Sequence, residues 1–302
     1  MLMSENCVVC KSPVSTPVLD HLYAYEYGTG WVGAIKACES CGLMQQYPMP
    51  TVARALDYYP DSYTHYNPQT TGLSGFLMKL YMQRTIRFFK KMGIKKGMRV
   101  LDIGCGAGQK IAILRDALGI DPVGIEPNII GAENARKFFG LKVYNNTFPC
   151  AELSSKKFDA VYINHVIEHV PDPVKLLNDI YSFLRPGGII IGETENLNCL
   201  SFRIFNRYWA LLHLPFHLLF FNKVTLGNVF LSSDFKKVNI ETITEPTVWS
   251  LSIQNYLLKN KFANSPRRGR MPGYIPLTLL LIPFSWLEKR KGPILRFWAK
   301  KA

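Results

Sequence analysis

Residues Val100-Leu101-Asp102-Ile103-Gly104-Cys105-Gly106-Ala107-Gly108 constrain the fold more than any other stretch of the chain. Apolar and β-branched residues around Asp102 predict the end of a buried parallel strand. The three glycines that follow permit a sharp turn and a close approach of backbone to a ligand, where a Cβ would intrude. Ile111, Leu114 and Leu118 then recur at helical spacing. Strand, glycine-rich turn and helix in that order predict a nucleotide-type binding site in an α/β sheet.

The next acid narrows the choice of nucleotide. Val123-Gly124-Ile125-Glu126 reads as a second strand ending in a carboxylate placed to hold a ribose diol. That feature suits NAD and S-adenosylmethionine alike. The glycines, however, run G-x-G-x-G, and Gln109 stands where a dinucleotide fingerprint wants a third Gly or Ala. Asp102 also precedes the turn, where it would repel a pyrophosphate and attract an amino-acid ammonium. Both details favour S-adenosylmethionine over a dinucleotide; an ordinary glycine-rich βα turn is the competing reading.

Downstream, Phe158-Asp159-Ala160-Val161-Tyr162-Ile163 reads as another strand, followed by Asn164-His165-Val166-Ile167-Glu168-His169-Val170-Pro171-Asp172-Pro173. A helix, the turn Leu184-Arg185-Pro186-Gly187-Gly188 and the strand Ile189 to Glu193 come next. In this combination residues 96–245 resemble the class I S-adenosylmethionine-dependent methyltransferases. The resemblance implies a Rossmann-like, seven-stranded, mostly parallel sheet with an antiparallel last strand and helices on both faces. It implies that Gly104, Gly106 and Gly108 line the amino-acid part of the cofactor, that Asp102 sets its ammonium, and that Glu126 takes the ribose hydroxyls. Asn146 and Thr147, after the strand Lys142 to Tyr144, fall where the adenine edge is read, and Asn164 and His165 fall beneath the sulfonium.

Seven cysteines are present, four of them in the pairs Cys7-x-x-Cys10 and Cys38-x-x-Cys41. Two such turns can complete a tetrahedron around one structural zinc ion, with all four positions filled by protein. Cys105, Cys150 and Cys199 are scattered and read as small packed hydrophobes. With Cys38-Glu39-Ser40-Cys41-Gly42-Leu43, Pro48-Met49-Pro50 and Tyr58-Tyr59, the N-terminal module looks like the zinc ribbon that precedes many methyltransferases encoded with surface-polysaccharide genes. The expected organisation is a zinc ribbon over 1–50, a linker and lead-in helix over 51–95, and the methyltransferase domain over 96–302. The linker is placed to fold over the cofactor mouth, and the lead-in helix, 76–92, carries Phe76, Leu77, Leu80, Ile86, Phe88 and Phe89.

Residues 196–235 form an aromatic segment that, by the resemblance, caps the substrate pocket, and His217 falls on the histidine of the family's W…P-x-H-x-x-x-F pattern. Ile294 to Lys300 looks like the closing strand, which makes 245–290 an insertion. Its apolar run, Tyr274 to Leu287, is bracketed by Arg267, Arg268, Arg270 and by Lys289, Arg290, Lys291. Too short to span a bilayer, it fits an interfacial segment in the headgroup layer of an anionic membrane, or else a helix covering the core or a dimer interface. Of the net charge of +14, residues 259–302 supply most, with Glu288 their one acid. Such skew suggests an anionic partner, or a solvated basic surface. No basic and apolar export signal opens the chain, so a cytoplasmic protein, peripheral at most to the membrane, is expected.

Residues 164–167 lack the Asn/Asp-Pro-Pro-Tyr/Phe motif of amine methylases, which points away from acceptor nitrogen of that kind. A hydroxyl acceptor needs a base or a metal, and His165, Glu168, His169 and His217 are the candidates. His165-x-x-Glu168-His169 matches a zinc-peptidase string, but it sits at a strand end before Pro171, not inside a long helix. Related ubiquinone-pathway O-methyltransferases keep the Glu-His pair, and some hold a divalent ion there. The expected activity is O-methylation of a sugar on a surface glycan or lipid-linked saccharide, with His169 or His217 as base. Methylation of ribosomal or transfer RNA, and an inactive methyltransferase-like scaffold at a membrane, are the alternatives. The basic charge lies in an apolar insertion, not on an aromatic-interleaved face, which speaks against nucleic acid.

Overall fold

The computed structural model describes residues 6–24, 31–50, 66–68, 72–153, 155–257, 274–288 and 290–302. Most of the linker and the stretch 258–273, including Tyr58, Tyr59, Arg267, Arg268 and Arg270, lie outside the described residues, as do Lys289 and the side chains of Phe76 and Leu77.

The elements follow the expected α/β order. After strands β1 (Val14–Tyr23), β2 (Val32–Cys38) and β3 (Met44–Tyr47) comes helix α1 (Gly72–Lys91). The alternating core then runs β4 (Arg99–Ile103), α2 (Gln109–Leu118), β5 (Asp121–Ile125), α3 (Ile129–Phe139), β6 (Lys142–Tyr144), β7 (Phe158–Asn164), α4 (Pro173–Phe183) and β8 (Leu184–Glu195). Next are α5 (Leu200–Phe205), β9 (Leu219–Phe220), α6 (Lys223–Leu231), β10 (Asn239–Ile243), α7 (Pro246–Leu257), α8 (Tyr274–Leu287) and β11 (Ile294–Lys300). Seven strands lie in the order β10-β11-β8-β7-β4-β5-β6, and β1-β2-β3-β9 form a second sheet. The expected seven-stranded sheet and the closing strand are both present.

β4 pairs in parallel with β5 and with β7, Leu101 opposite both Val123 and Val161. Because both neighbours are strands and both faces are covered, Val100, Leu101, Val123, Val161 and Ile163 are all buried, as an apolar run without alternation requires. β11 is antiparallel to β8: Lys301 N–H donates to Gly188 O while Asn196 N–H donates to Pro293 O, so the numbering runs in opposite senses.

Compactness divides the chain into two units. One comprises Asp61–Val166, Asn178–Gly192 and Trp298–Ala302. Its core joins Phe89, Val100, Ile111, Leu114, Ala135 and Tyr162. Helix α1 enters this core through Met82, Ile86, Phe88 and Phe89, with the Phe89 and Tyr162 rings edge-on at 5.2 Å; Leu80, expected among the packed residues, is half exposed. Helix α2 buries Ile111, Ala112, Leu114 and Leu118 and stops at Gly119, whose left-handed conformation lets its N–H close on Arg115 O.

The other unit comprises Met1–Pro60, Ile167–Leu177 and Glu193–Phe297. Its core joins Leu22 and Ile35 of the N-terminal strands, and Trp31 just before β2, to Trp209, Leu212, Leu214 and Phe220. The aromatic segment after β8 is thus a core-former in its own unit: Trp209, Phe216, Phe220 and Phe221 are each almost fully buried. Each such side chain contributes about 1.5–3 kcal/mol when removed from water. None of the helices among the described residues is long and apolar enough to cross a membrane.

Gly108 shows how tightly the glycine turn is packed. It sits at φ 76°, and a Cβ there would come within 2.5 Å of Leu141 Cδ1 and 2.9 Å of Ala135 Cβ. Replacement Gly108→Ala is expected to destabilise the fold by about 2–4 kcal/mol through left-handed strain and overlap, read as a lowered denaturation midpoint at unchanged slope.

Candidate functional site

The turn after β4 is drawn against β5 by its backbone: Gly104 N–H and Cys105 N–H both donate to Ile125 O. Gly104, Gly106 and Gly108 all have positive φ, at 68°, 54° and 76°. Side chains on L residues rarely accept that conformation, so the glycines are required by the turn itself. Their individual jobs differ. A Cβ on Gly104 would press on Val166 Cγ2 at 3.0 Å, whereas Gly108 keeps α2 close to α3.

Glu126, at the end of β5, is 5% exposed and accepts from Gly106 N–H at 2.8 Å and Asn128 N–H at 2.9 Å, one bond on each carboxylate oxygen. Burial raises its pKa, and those two N–H groups oppose the rise. Asn145 Nδ2 donates to the carbonyls of Glu126 and Pro127 and so fixes the chain beyond β5. Asn146 and Thr147 are exposed, with Asn146 Oδ1 accepting from Thr147 N–H. Tyr66, from the short described piece of the linker, is buried, and Asn134 Nδ2 donates to its carbonyl at 2.7 Å.

Asp102 is different. It is 4% exposed, and its carboxyl takes no hydrogen bond from a described side chain. Burial raises its pKa from 3.8 to about 8, with Lys110 opposing the rise and Glu126 adding to it. A buried carboxyl left without a partner is costly unless a cation arrives to hold it. An amino-acid ammonium fits that need, and the open glycine turn and the Glu126 carboxylate fit the rest of S-adenosylmethionine.

Beyond β7 the chain turns abruptly. Asn164 Oδ1 accepts from Tyr162 Oη at 2.7 Å, and half-buried His165 adopts a left-handed φ of 55°. Ile167–His169 form a single 3-10 turn, as expected for a motif outside a long helix. Within that unit Glu168, His169 and His217 come together, one ligand atom of each within 4.8 Å of the others. The His169 and His217 rings meet edge-on with centroids 4.6 Å apart. His169 Nδ1 lies 2.9 Å from Phe216 O, and His217 Nδ1 lies 3.0 Å from Leu211 O. A carbonyl can only accept, so each Nδ1 carries a proton, and each ring is fixed through that nitrogen. Glu168 is fully buried; its Oε2 accepts from Thr194 Oγ1, which also lies 3.2 Å from Glu195 Oε2. Glu195 Oε1 lies 3.5 Å from His217 Nε2. Two imidazoles and a carboxylate in this arrangement have the chemistry to exchange a proton or to hold a divalent ion.

The N-terminal cysteines also meet. Cys7 Sγ lies 3.6 Å from Cys41 Sγ and Cys10 Sγ lies 3.3 Å from Cys38 Sγ, and all four sulfurs lie within 4.8 Å of one another. A tetrahedral zinc bound at about 2.3 Å would set its sulfurs about 3.8 Å apart. The set therefore fits one zinc ion. Gly42, at φ 71°, makes the tight turn that brings the second pair round.

The sheet that carries these cysteines reaches the histidine cluster directly. β3 pairs with β9, Met44 opposite Phe220 and Gln45 opposite Leu219. Gln46 N–H donates to Leu218 O, and Leu218 N–H donates to Glu168 O, both at 2.8 Å. In the amide orientation that satisfies its neighbours, the Gln46 side chain donates to His217 O and Pro215 O and accepts from Trp31 Nε1.

A family model described as a methyltransferase domain matches residues 74–240, more than half of the chain. The chain belongs to that methyltransferase family. Curated relatives named ubiquinone biosynthesis O-methyltransferase include one from Cereibacter sphaeroides, 34% identical over 127 residues (40% of this chain, 51% of the relative). Another, from Dinoroseobacter shibae, is 38% identical over 112 residues (35% and 45%). The chain spans about half the length of these relatives. Among solved structures, a SAM-dependent methyltransferase from Archaeoglobus fulgidus matches with a TM-score of 0.50 at 23% identity, over 74% of this chain and 93% of that one. Haemonchus contortus phosphoethanolamine N-methyltransferase 2 with bound S-adenosyl-L-methionine matches at 0.51 and 17%, over 85% and 62%. These structural likenesses show the fold. With the family match, the cradle around Asp102 lies within a methyltransferase domain.

Sequence reading of this methyltransferase missed Gln46, Asn145, Thr194 and Glu195. Glu193-Thr194-Glu195 carried a usable signal, since charged and hydroxyl residues closing an apolar strand mark its C-terminal end, where α/β ligands bind. Gln46 carried none, because its role depends on strand pairing distant in sequence.

S-adenosylmethionine binding is expected to release a proton near pH 7, because an ammonium beside Asp102 favours the carboxylate over the neutral acid. Affinity should rise with pH toward about 8. Calorimetry in buffers of different ionisation enthalpy reads the release directly. Asp102→Asn should abolish the release and weaken binding about tenfold to a hundredfold. In the ligand-free protein the sign is opposite: a raised folded-state pKa means that stability falls as pH climbs from the ordinary Asp range through about 8.

Proposed function

We propose that the protein methylates a hydroxyl oxygen on a lipid-linked saccharide or related lipid-borne acceptor, with His169 as the general base. The observation that carries this reading is the pair of histidines whose Nδ1 atoms are pinned to the Phe216 and Leu211 carbonyls and whose rings converge on the buried Glu168 carboxylate. A hydroxyl of high pKa must lose its proton as the bond to carbon forms, and such a cluster can accept it. The name of the curated relatives, ubiquinone biosynthesis O-methyltransferase, supports oxygen as the acceptor atom. The ribbon's likeness to modules found with surface-polysaccharide genes supports a saccharide.

Asp102, the glycine turn and Glu126 would hold S-adenosylmethionine, which supplies a methyl group on a sulfonium for in-line displacement. His169 is the less buried of the two histidines, so its Nε2 takes the acceptor proton. Glu168 stabilises the resulting imidazolium, and Thr194 holds that carboxylate in place through its hydroxyl. His217, buried and edge-on to His169, is a positioning residue that fixes the base and is itself set against Glu195. Zinc held by Cys7, Cys10, Cys38 and Cys41 is structural in this reading, since all four positions are protein ligands. A second reading places a divalent ion on Glu168, His169 and His217, favoured by their convergence within 4.8 Å; it would acidify the hydroxyl in place of a base.

Methyl-labelled S-adenosylmethionine supplied with the enzyme to a cell extract is expected to label the lipid or glycan fraction. His169→Ala should lower that transfer about a hundredfold or more with cofactor binding retained. Label confined to RNA, or full activity in His169→Ala, would contradict the reading. Loss of transfer on chelation, restored by Mg2+ alone, would favour the metal version.

A further inference from the structure

The outer face of α8 breaks the usual rule for a surface helix. One stripe of it, Leu281, Ser285 and Glu288 just beyond its end, is buried, and Thr278 bonds Ser250 on α7. Opposite lie Leu279, Leu280, Pro283, Phe284, Trp286 and Leu287, all exposed, with no polar residue among them. A surface helix ordinarily carries charge on that side. Leu280 and Leu287 are each 70% exposed and Trp286 is 68% exposed. Tyr256 and Leu257 at the end of α7, and Leu200 and Ile204 on α5, add further exposed apolar surface in the same unit.

Cations border this face. A cleft of about 260 Å³ between α5 and the end of α8 is lined by Leu200 and Leu287 together with Arg203, Arg290 and Lys291. Arg290 and Lys291 make no ion pair with a described residue. The one acid in the cleft, Glu288, is already committed: Ser201 N–H donates to its Oε1 and Trp249 Nε1–H to its Oε2 at 2.9 Å. Its charge therefore faces inward, and the rim presents positive charge alone. A contiguous apolar face of this kind marks an interaction surface, and the composition of the rim selects among partners.

From this we infer that the face formed by α5, α7 and α8 docks on an anionic phospholipid surface, with the α8 side chains entering the acyl boundary and Arg203, Arg290 and Lys291 meeting lipid phosphates. An exposed tryptophan beside leucines, ringed by Arg and Lys, is the arrangement that rests stably at a bilayer interface. A second copy of the chain would instead oppose like charges across the contact. Docking places the enzyme where a lipid-linked acceptor resides, but the inference stands on the surface alone and does not depend on the identity of that acceptor.

The test is co-sedimentation of the full chain with vesicles of phosphatidylglycerol and phosphatidylcholine in equal parts, and with phosphatidylcholine alone, at low and high salt. Binding is expected to the anionic vesicles only, and to weaken with salt. Leu280→Asp with Trp286→Asp, and separately Arg290→Glu with Lys291→Glu, should each weaken it about tenfold or more. S-adenosylmethionine binding is measured on every variant as the check that it folds. Failure of the wild-type chain to sediment, or binding indifferent to both pairs of substitutions, overturns the inference. So does a dimer seen by light scattering that Leu280→Asp dissociates, since the face would then be a contact between copies. Methyl transfer to a soluble acceptor by a chain that still binds vesicles would count against the lipid-borne acceptor and leave the docking face standing.

Discussion

The backbone of Leu218 bonds in two directions. Its carbonyl accepts from Gln46 on the ribbon strand, and its N–H donates to Glu168 in the turn that carries the acid and His169. One residue, through the two peptide groups that flank its Cα, thus ties the cysteine-bearing sheet to the histidine cluster, and both of its backbone polar groups are bonded. Gln46 extends the tie with its side chain, reaching the carbonyls of Pro215 and His217. Around it Trp209, Leu214, Phe216 and Phe220 exclude water, which strengthens each of these polar links. The apolar segment after β8 is best understood as packing that fixes two histidines by their Nδ1 atoms, since the carbonyls that hold them belong to Leu211 and Phe216 within it.

The cofactor cradle works by a different economy. Its glycines remove side chains where a ligand must approach, and Asp102 keeps a carboxyl buried without a hydrogen-bonding partner among the described residues. That arrangement is unfavourable in the ligand-free protein, and in the proposed site the ammonium of the cofactor would relieve it. Glu126, by contrast, is already held by two backbone N–H groups, and in the proposed site would accept a ribose hydroxyl without rearrangement. One acid supplies electrostatic attraction, and the other supplies a pre-set geometry.

Much of the sheet was legible because parallel strands buried on both faces leave uninterrupted apolar runs, as in Val100 to Ile103 and Phe158 to Ile163. The glycine turn and the two closing acids were legible because their residue types are dictated by backbone conformation and by ligand charge. The meeting of Cys7, Cys10, Cys38 and Cys41 followed from ligand spacing. What the sequence concealed is the part made by distant pairing. β9 is two residues long and carries no strand signal, yet it is what joins the ribbon sheet to the histidine segment. Several aromatic residues of 196–235, the segment expected to cap the substrate pocket, also form the core of their own unit, a role that aromaticity alone does not reveal. The insertion was read as either an interfacial helix or a cover for the core, and α8 shows a buried stripe on one side and a bare apolar face on the other.

That the ribbon strand holds the acid–histidine cluster through Leu218 is most directly tested by hydrogen exchange on the full chain and on Gln46→Leu. The account predicts faster exchange over residues 214–221 together with 167–170, and unchanged protection over 99–126, where the cofactor cradle lies. Unchanged exchange in 167–170, or loosening spread evenly through both units, would contradict it.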